Sequence, residues 1–162
     1  MDPGLIYALI GAAAVIFAAL VPTLLEQIRN RRRSSEQPDQ IARATIDEPR
    51  SESYVERTFD CSGEIHGYRR GERLWLAVEK AGRFWPKEGR VTPDPKTGKW
   101  TATVFEDGGQ EPFNLSLYVV TQSADAQIEE WLETGRNTGS YPGLLSTKGM
   151  RRLARVEQLA LG

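Results

Sequence analysis

An uncharged run of 21 residues, positions 5–25, most constrains how this chain can fold. As a helix it would be roughly 31 Å long, against about 30 Å for the hydrocarbon core of a bilayer. Eleven of its residues are Leu, Ile, Val or Phe, which together favour insertion by about 3–7 kcal/mol. A cleaved signal peptide would have a basic start, and a buried helix would show a polar stripe. We therefore expect a transmembrane helix over residues 5–28, after a short extracytoplasmic N-terminus over residues 1–4.

The charges beside this segment predict its orientation. No Lys or Arg precedes it, whereas a basic segment over residues 29–33 follows it. Because cytoplasmic flanks of membrane helices are enriched in basic residues, we expect a single-pass protein of the cell membrane with everything after the helix in the cytoplasm. The basic side chains would lie at the membrane interface, near lipid head groups. They are Arg29, Arg31, Arg32 and Arg33.

Small residues inside the predicted helix offer a face that a second helix can approach. Ala14 and Ala18 are four residues apart, and Gly11 lies one turn before them. This small-residue spacing is typical of close helix pairs in membranes. Alanine is also common filler in such helices, so a helix–helix contact and a space-filling role are both compatible with the sequence.

Residues 34–52 differ in composition from the segments on either side. They are rich in Ser, Gln, Pro, Asp and Arg and contain few large apolar side chains. Such a stretch buries too little surface to offset the entropy lost on ordering, which predicts a flexible linker. In an alternative interpretation its first residues continue the membrane helix, since positions 24–33 contain no helix breaker.

Charge and residue counts argue against several classes of function. The chain has 21 Lys and Arg and 22 Asp and Glu; four of the basic and two of the acidic residues lie in the first 33 positions, so the rest carries a net charge of −3. That sign disfavours nucleic acid as a partner. With one cysteine, Cys61, and one histidine, His66, the chain lacks the ligands for a zinc site and has a single imidazole base. We expect no metal, no cofactor and no catalytic site.

Short β-branched and aromatic runs between Gly and Pro turns predict a mainly β domain over residues 53–162. Leu74, Leu76 and Val78 alternate with apolar residues on the opposite face, which indicates a central strand. The turn Asp107-Gly108-Gly109 predicts a hairpin between the runs on either side of it. The expected strands cover residues 55–65, 74–78, 100–105, 113–120 and 152–161.

One helix is expected among these strands. Ser123 is a suitable N-cap, and Gly135 can end the helix in the left-handed conformation. Ile128, Trp131 and Leu132 share one face, which predicts packing of that face on a sheet.

The order of the aromatic and turn motifs resembles that of a known group of bacterial domains. The motifs are Leu74-Trp75-Leu76-Ala77-Val78, Phe84-Trp85-Pro86, Gly98-Lys99-Trp100, Phe113-Asn114-Leu115 and Tyr141-Pro142-Gly143-Leu144. They are similar to membrane-anchored immunoglobulin-like β-sandwich domains related to prokaryotic YEATS-like domains, over residues 53–162. The resemblance implies an immunoglobulin-like β-sandwich with one short helix, often found after membrane segments in bacterial signalling or conflict systems. Eukaryotic YEATS domains read acylated lysines through aromatic loop residues; those pocket residues do not align here, so that activity is not implied.

Two groups of aromatic residues lie in turn-like contexts. They are Phe84-Trp85-Pro86 and Tyr141-Pro142-Gly143. In one interpretation their rings plug the ends of the sandwich. In the other, Phe84, Trp85 and Tyr141 form a recognition surface, and the nearby Arg70, or else Arg69 or Lys87, supplies charge. The other three tryptophans follow apolar faces and are expected in the core: Trp75, Trp100 and Trp131.

The sequence favours a membrane-tethered cytoplasmic binding or sensing module that recognises a protein or a small ligand. An oligomerising membrane effector, or a structural subunit of a bacterial signalling or defence system, is the alternative. An enzyme is the third possibility, and its only imidazole base would be His66.

Overall fold

The computed structural model describes residues 41–69, 71–145 and 148–162. The expected N-terminus, transmembrane helix, basic segment and the first part of the linker lie outside these residues, as does Arg70. The contacts predicted for Gly11, Ala14 and Ala18 and for the four arginines therefore stay predictions. Within the described ranges, no helix is both long enough and apolar enough to cross a membrane.

The described part of the chain is mainly β, which confirms the predicted class. A three-stranded sheet has the order β1-β3-β6, and a five-stranded sheet has the order β2-β8-β7-β4-β5. The helix, α1, follows β7. The elements are β1 (Arg43–Ala44), β2 (Tyr54–Val55), β3 (Thr58–His66), β4 (Arg73–Lys80), β5 (Arg83–Pro86), β6 (Lys99–Phe105), β7 (Phe113–Val120), α1 (Gln122–Thr138) and β8 (Met150–Leu161).

Both sheets contribute to one hydrophobic core, an arrangement consistent with a β-sandwich. Alternate residues of β3 and β6 point inward, because successive side chains of a strand face opposite sides of the sheet. They meet the inward-facing residues of β4, β7 and β8. Core members include Cys61, Ile65, Trp100 and Val104 from the first sheet and Leu74, Leu76, Leu115, Leu117 and Leu159 from the second.

Strand β4 is apolar on both faces, as its alternation predicts. Leu76 faces the core between the sheets, whereas Trp75 faces the opposite side and packs with α1. Ile128 and Leu132 bury the apolar face of α1 in this second cluster, with Trp131 partly buried beside them. The predicted helix face is confirmed.

Part of the predicted linker belongs to the folded domain. β1 pairs with β3, Ala42 is buried, and Glu48 forms a bridge with Ser62. The compact unit that contains the sheets therefore spans Ile41–Gly162 and includes residues before Ser53. The composition of residues 41–52 does not reveal this pairing. The segment joins the sheet mainly through backbone hydrogen bonds, which polar residues make as readily as apolar ones.

The predicted hairpin around Asp107-Gly108-Gly109 is wrong. β6 pairs with β3, and β7 pairs with β4 and β8, so the two strands that the turn joins lie in different sheets. Gly109 does adopt a positive φ of 84°. The glycine therefore predicts a turn in the chain, but it does not determine whether the two strands joined by the turn pair with each other.

The ends of α1 differ from those predicted. The N-cap is Thr121, whose hydroxyl accepts a hydrogen bond from the backbone N–H of Ala124, and Ser123 lies inside the helix. The C-cap is Gly139, with φ of 70°, and Gly135 is a buried helical residue. A Cβ on Gly135 would lie 2.1 Å from the ring of Tyr141, so this glycine serves close packing.

Candidate functional site

A cleft of about 640 Å³ opens beside β5 and β6, the edge strands of the two sheets. Its walls combine aromatic and aliphatic side chains with a few charged ones. This size and this mixture are typical of sites for small molecules or for single side chains of a partner. The residues used below are Trp85, Trp131, Tyr141, Lys80, Lys87 and Glu106.

Two of the predicted aromatic recognition residues, Trp85 and Tyr141, meet in this cleft. The indole N–H of Trp85 donates to the backbone carbonyl of Tyr141, at 2.9 Å. Gly143 permits this approach, because a Cβ there would lie 2.5 Å from the Trp85 ring. Strand β5 and the segment after α1 are thus held together where both line the cleft.

The helix adds a third ring that sequence reasoning assigned to the core. Trp131 is half-buried and lines the cleft, with its ring edge-on to Tyr141 at a centroid distance of 5.4 Å. Its indole N–H donates to the backbone carbonyl of Pro142, at 3.0 Å. The apolar periodicity of α1 predicts only that the side chain of Trp131 faces the sheet. Its place in the cleft depends on its contacts with residues 141–143, which the periodicity does not show.

A charged cluster forms the polar side of the cleft. The Glu106 carboxylate is buried and accepts from the Lys80 ammonium at 3.1 Å and from the Lys87 ammonium at 2.6 Å. Gly108 donates its backbone N–H to the same carboxylate, at 2.8 Å. No local sequence signal reveals this cluster, because Glu106 lies 26 residues after Lys80 and 19 residues after Lys87 in the chain.

These partners determine the ionisation of Glu106. Burial alone would raise its pKa, but the hydrogen bonds and positive charges of Lys87 and Lys80 outweigh burial, and the pKa lies below its ordinary value of 4.5. The carboxylate is therefore ionised at neutral pH and is matched by two ammonium groups.

Lys87 has hydrogen-bonding capacity that the described residues leave unused. An ammonium group has three N–H donors, and within the described ranges Lys87 uses one, to Glu106. Lys80 uses two, to Glu106 and to the carbonyl of Gly108. The cleft thus presents a partly buried donor beside aromatic rings, in a lining that also holds Glu88 and Asp107. Such a donor suits an acceptor group on a largely apolar ligand.

Phe84, the third predicted recognition residue, does not line the cleft. It is buried and packs against Tyr118, with ring centroids 6.0 Å apart. It lines a smaller cavity of about 420 Å³ that also contains Glu79 and Arg152. Neighbouring residues of a strand point to opposite faces, so Phe84 and Trp85 could not share one surface. Phe84 therefore lies apart from the surface that Trp85 and Tyr141 share.

An ion pair attaches the helix to the β-domain next to the cleft. The buried Asp125 accepts from the indole N–H of Trp75 at 2.9 Å and from two guanidinium nitrogens of Arg90 at 2.8 and 3.0 Å. Although burial alone would raise the pKa of Asp125, Arg90 and Trp75 hold it below its ordinary value of 3.8. This contact positions α1, and with it the Trp131 wall of the cleft.

Neither His66 nor Cys61 belongs to the cleft. His66 ends β3 with an exposed side chain, 3.7 Å from Glu64. Cys61 lies in the core between the sheets, where burial and then the nearby charge of Asp60 raise the pKa of its thiol to about 12. It is a core side chain, not an activated nucleophile.

No protein-family model matches this chain, and no curated protein or solved structure is significantly similar to it. The candidate site therefore rests on its own geometry.

Proposed function

We propose that this protein is a membrane-tethered cytoplasmic binding module that recognises a small ligand, or a side chain of a protein partner, in the cleft beside Trp85. One observation carries the proposal: four aromatic residues, Phe105 among them, and two partly buried lysines line a cavity of about 640 Å³. A site of this kind gains affinity from apolar burial and orientation from a few polar groups. An acceptor on the ligand would take the unused donors of Lys87.

The chemistry of the cleft favours binding over catalysis. General acid–base catalysis needs a group whose pKa lies near the working pH and whose proton can reach the substrate. The pKa of Glu106 is lowered, and its carboxylate is engaged by Lys80, Lys87 and Gly108. His66, the one imidazole in the chain, is not among the lining residues.

The tether and the family relationship are parts of the same proposal. The apolar run over residues 5–25 and the basic segment after it support an anchor with the β-domain in the cytoplasm. Packing of two sheets around a shared core supports an immunoglobulin-like arrangement. We extend this to a relationship with prokaryotic YEATS-like domains, and hence to a role in bacterial signalling or defence, on the sequence motifs alone.

A fragment screen on the full chain tests the cleft. The probes are small aromatic carboxylates, which combine a ring for the aromatic wall with an acceptor for Lys87. Binding to detergent-solubilised protein should weaken at least tenfold in Trp85→Ala and in Lys87→Met. Tyr54→Ala is the matched control, because Tyr54 is an aromatic residue that is 80% exposed and does not line the cleft. Equal weakening in Tyr54→Ala, or no binder at all, would contradict the proposal.

The tether has a separate test. The full chain should stay in the membrane pellet after alkaline carbonate extraction, and a cytoplasm-dependent reporter fused after Gly162 should be active. Release into the supernatant would refute the anchor, and activity of an extracytoplasmic reporter at the same position would refute the orientation.

A further inference from the structure

Strand β6 is an edge strand whose hydrogen-bonding directions follow from its pairing with β3. The register pairs Thr58 with Phe105 and continues antiparallel along both strands. Just beyond it, the N–H of Glu106 donates to the carbonyl of Arg57, at 2.8 Å. In an antiparallel ladder every second residue bonds to the partner strand. The backbone N–H and C=O groups of the even-numbered residues of β6 therefore point toward β3. Thr101, Thr103 and Phe105 direct their N–H and C=O groups away from the sheet.

These six backbone groups make no hydrogen bond within the described residues. The next residue on the same edge, Lys99, does have partners, because its carbonyl accepts from the N–H of Asp94 at 2.8 Å. The open edge therefore spans three outward-facing residues, from Thr101 to Phe105. The side chain of Phe105 is 57% exposed beside it. Thr103 and Phe105 also line the cleft, so this edge borders the proposed binding site.

The edge of the other sheet beside the cleft is protected. β5 has only four residues and ends in Pro86, which has no N–H. The backbone groups of Phe84 point away from β4, but they are already paired. The N–H of Phe84 donates to the carbonyl of Leu144 at 3.0 Å, and the N–H of Leu144 donates to the carbonyl of Phe84 at 2.9 Å. The edge of β6 differs from that of β5. Its outward-pointing backbone groups are unpaired, and the strand there is uncharged and rich in β-forming residues: Thr101-Ala102-Thr103-Val104-Phe105. An edge of that kind is a template for another strand.

We propose that β6 pairs with β6 of a second copy of this chain, antiparallel across a two-fold axis at Thr103. Thr103 then lies opposite the partner's Thr103, and Thr101 lies opposite the partner's Phe105. All three outward-facing residues of each copy form hydrogen-bonded pairs, so the contact satisfies six N–H groups. The two three-stranded sheets become one six-stranded sheet.

The side chains complement one another in this register. Phe105 packs over the partner's Thr101, a contact between an aromatic and a β-branched residue that stabilises antiparallel strands. At each end, Lys99 lies opposite the partner's Asp107, so opposite charges flank an uncharged centre. The side chain of Lys99 is 71% exposed and its ammonium lies 3.9 Å from Glu64, so the partner's Asp107 would be a second carboxylate beside it.

The unpaired backbone groups favour this register over the two registers shifted by two residues. A shift of two residues in one direction would place Phe105 opposite Lys99, whose carbonyl already bonds to Asp94. A shift in the other direction would place Thr101 opposite Asp107, whose carbonyl accepts from the N–H of Gly109 at 2.8 Å. Only the register centred on Thr103 uses all the unpaired groups and no paired ones.

Disulfide trapping in membranes tests the proposal with the full chain. Thr103→Cys should form covalent dimers under mild oxidation, because Thr103 lies on the two-fold axis. Thr101→Cys and Phe105→Cys should give few dimers alone but should cross-link to each other when the two variants are co-expressed. Cys61 is 1% exposed and stays out of this chemistry. Glu130→Cys, on the exposed face of α1, is the control and should not cross-link.

A second pair of variants separates strand pairing from other routes to a dimer. Thr103→Pro removes one outward-facing N–H and leaves the pairing with β3 in place. The dissociation constant of the dimer should therefore rise at least tenfold. Thr103→Ser keeps the N–H and the hydroxyl and should dimerise like the wild type. Circular dichroism should show the same β content for both. A monomeric wild type, equal cross-linking at Thr103 and Glu130, or an unaffected Thr103→Pro dimer would each overturn the proposal.

Discussion

The indole N–H of Trp85 on β5 donates to the backbone carbonyl of Tyr141, 2.9 Å away, in the segment that follows α1. The indole of Trp131 binds the next carbonyl, that of Pro142, at 3.0 Å. Two tryptophans from different elements thus hold consecutive peptide groups. These contacts place the ring of Tyr141 in the cleft and connect the edge of the larger sheet to the helix.

The bond from Trp85 has a measurable contribution to stability. Trp85→Phe retains a ring but removes the N–H donor, leaving the carbonyl of Tyr141 without this partner. We expect a loss of about 1 kcal/mol in the free energy of unfolding, the usual net value of one hydrogen bond. Urea unfolding of the full chain measures it. An unchanged free energy of unfolding would show that water replaces the indole without cost.

Gly135 should respond unusually to substitution by alanine. An exposed helix interior normally gains about 1 kcal/mol when Gly becomes Ala. At Gly135 the new Cβ meets the Tyr141 ring at 2.1 Å, so the ring must leave its place and the gain should be cancelled. Asn137→Ala, at an exposed site of the same helix, should still gain about half a kcal/mol. A full gain for Gly135→Ala in urea unfolding would contradict the packing described.

Removing the charge of Glu106 should destabilise the domain strongly. Glu106→Gln leaves the ammonium groups of Lys80 and Lys87, whose side chains are only 15% and 16% exposed, without a counter-charge. We expect a loss of about 3 kcal/mol in the free energy of unfolding. Glu88→Gln is the matched control, because that carboxylate is 71% exposed beside Arg136. It should cost less than about 1 kcal/mol, and equal losses would refute the buried cluster.

The same variant isolates a pH dependence. The pKa of Glu106 is lowered in the folded state, so its contribution to stability is present above its ordinary value of 4.5 and is lost as pH falls through the folded pKa. The wild type and Glu106→Gln should therefore differ most above that ordinary pKa and converge once the pH lies below the folded pKa. Asp125 and Glu79 titrate in both proteins and cancel in the comparison. A difference that stays constant over this range would contradict the ionised cluster.

Local pattern predicts those features that depend on local chemistry. The alternation in β4 indicates a strand buried on both faces, and Leu76 and Trp75 occupy those faces. Aromatic residues in turn contexts indicate positions of interest, and Trp85 and Tyr141 do meet. The sequence places Phe84 next to Trp85, but adjacent residues of a strand point to opposite faces of the sheet.

Features that depend on long-range pairing could not be predicted from the sequence. The glycines at 108 and 109 mark a turn, but the partner of β6 is β3, and two strands, β4 and β5, lie between these partners in the chain. The Lys80, Lys87 and Glu106 cluster resembles ordinary surface charge in sequence, because burial of a charge becomes apparent only when its partners are known. The open edge of β6 likewise appears only once the sheet order is known.

The indole N–H signals of the four tryptophans test the binding cleft most directly. In a nitrogen-15 NMR spectrum of the full chain, assigned with single Trp→Phe variants, small aromatic carboxylates should shift the signals of Trp85 and Trp131 together. The signals of Trp75 and Trp100, buried away from the cleft, should stay in place. Binding that leaves Trp85 and Trp131 unshifted, or that shifts Trp75 and Trp100 instead, would contradict recognition in this cleft.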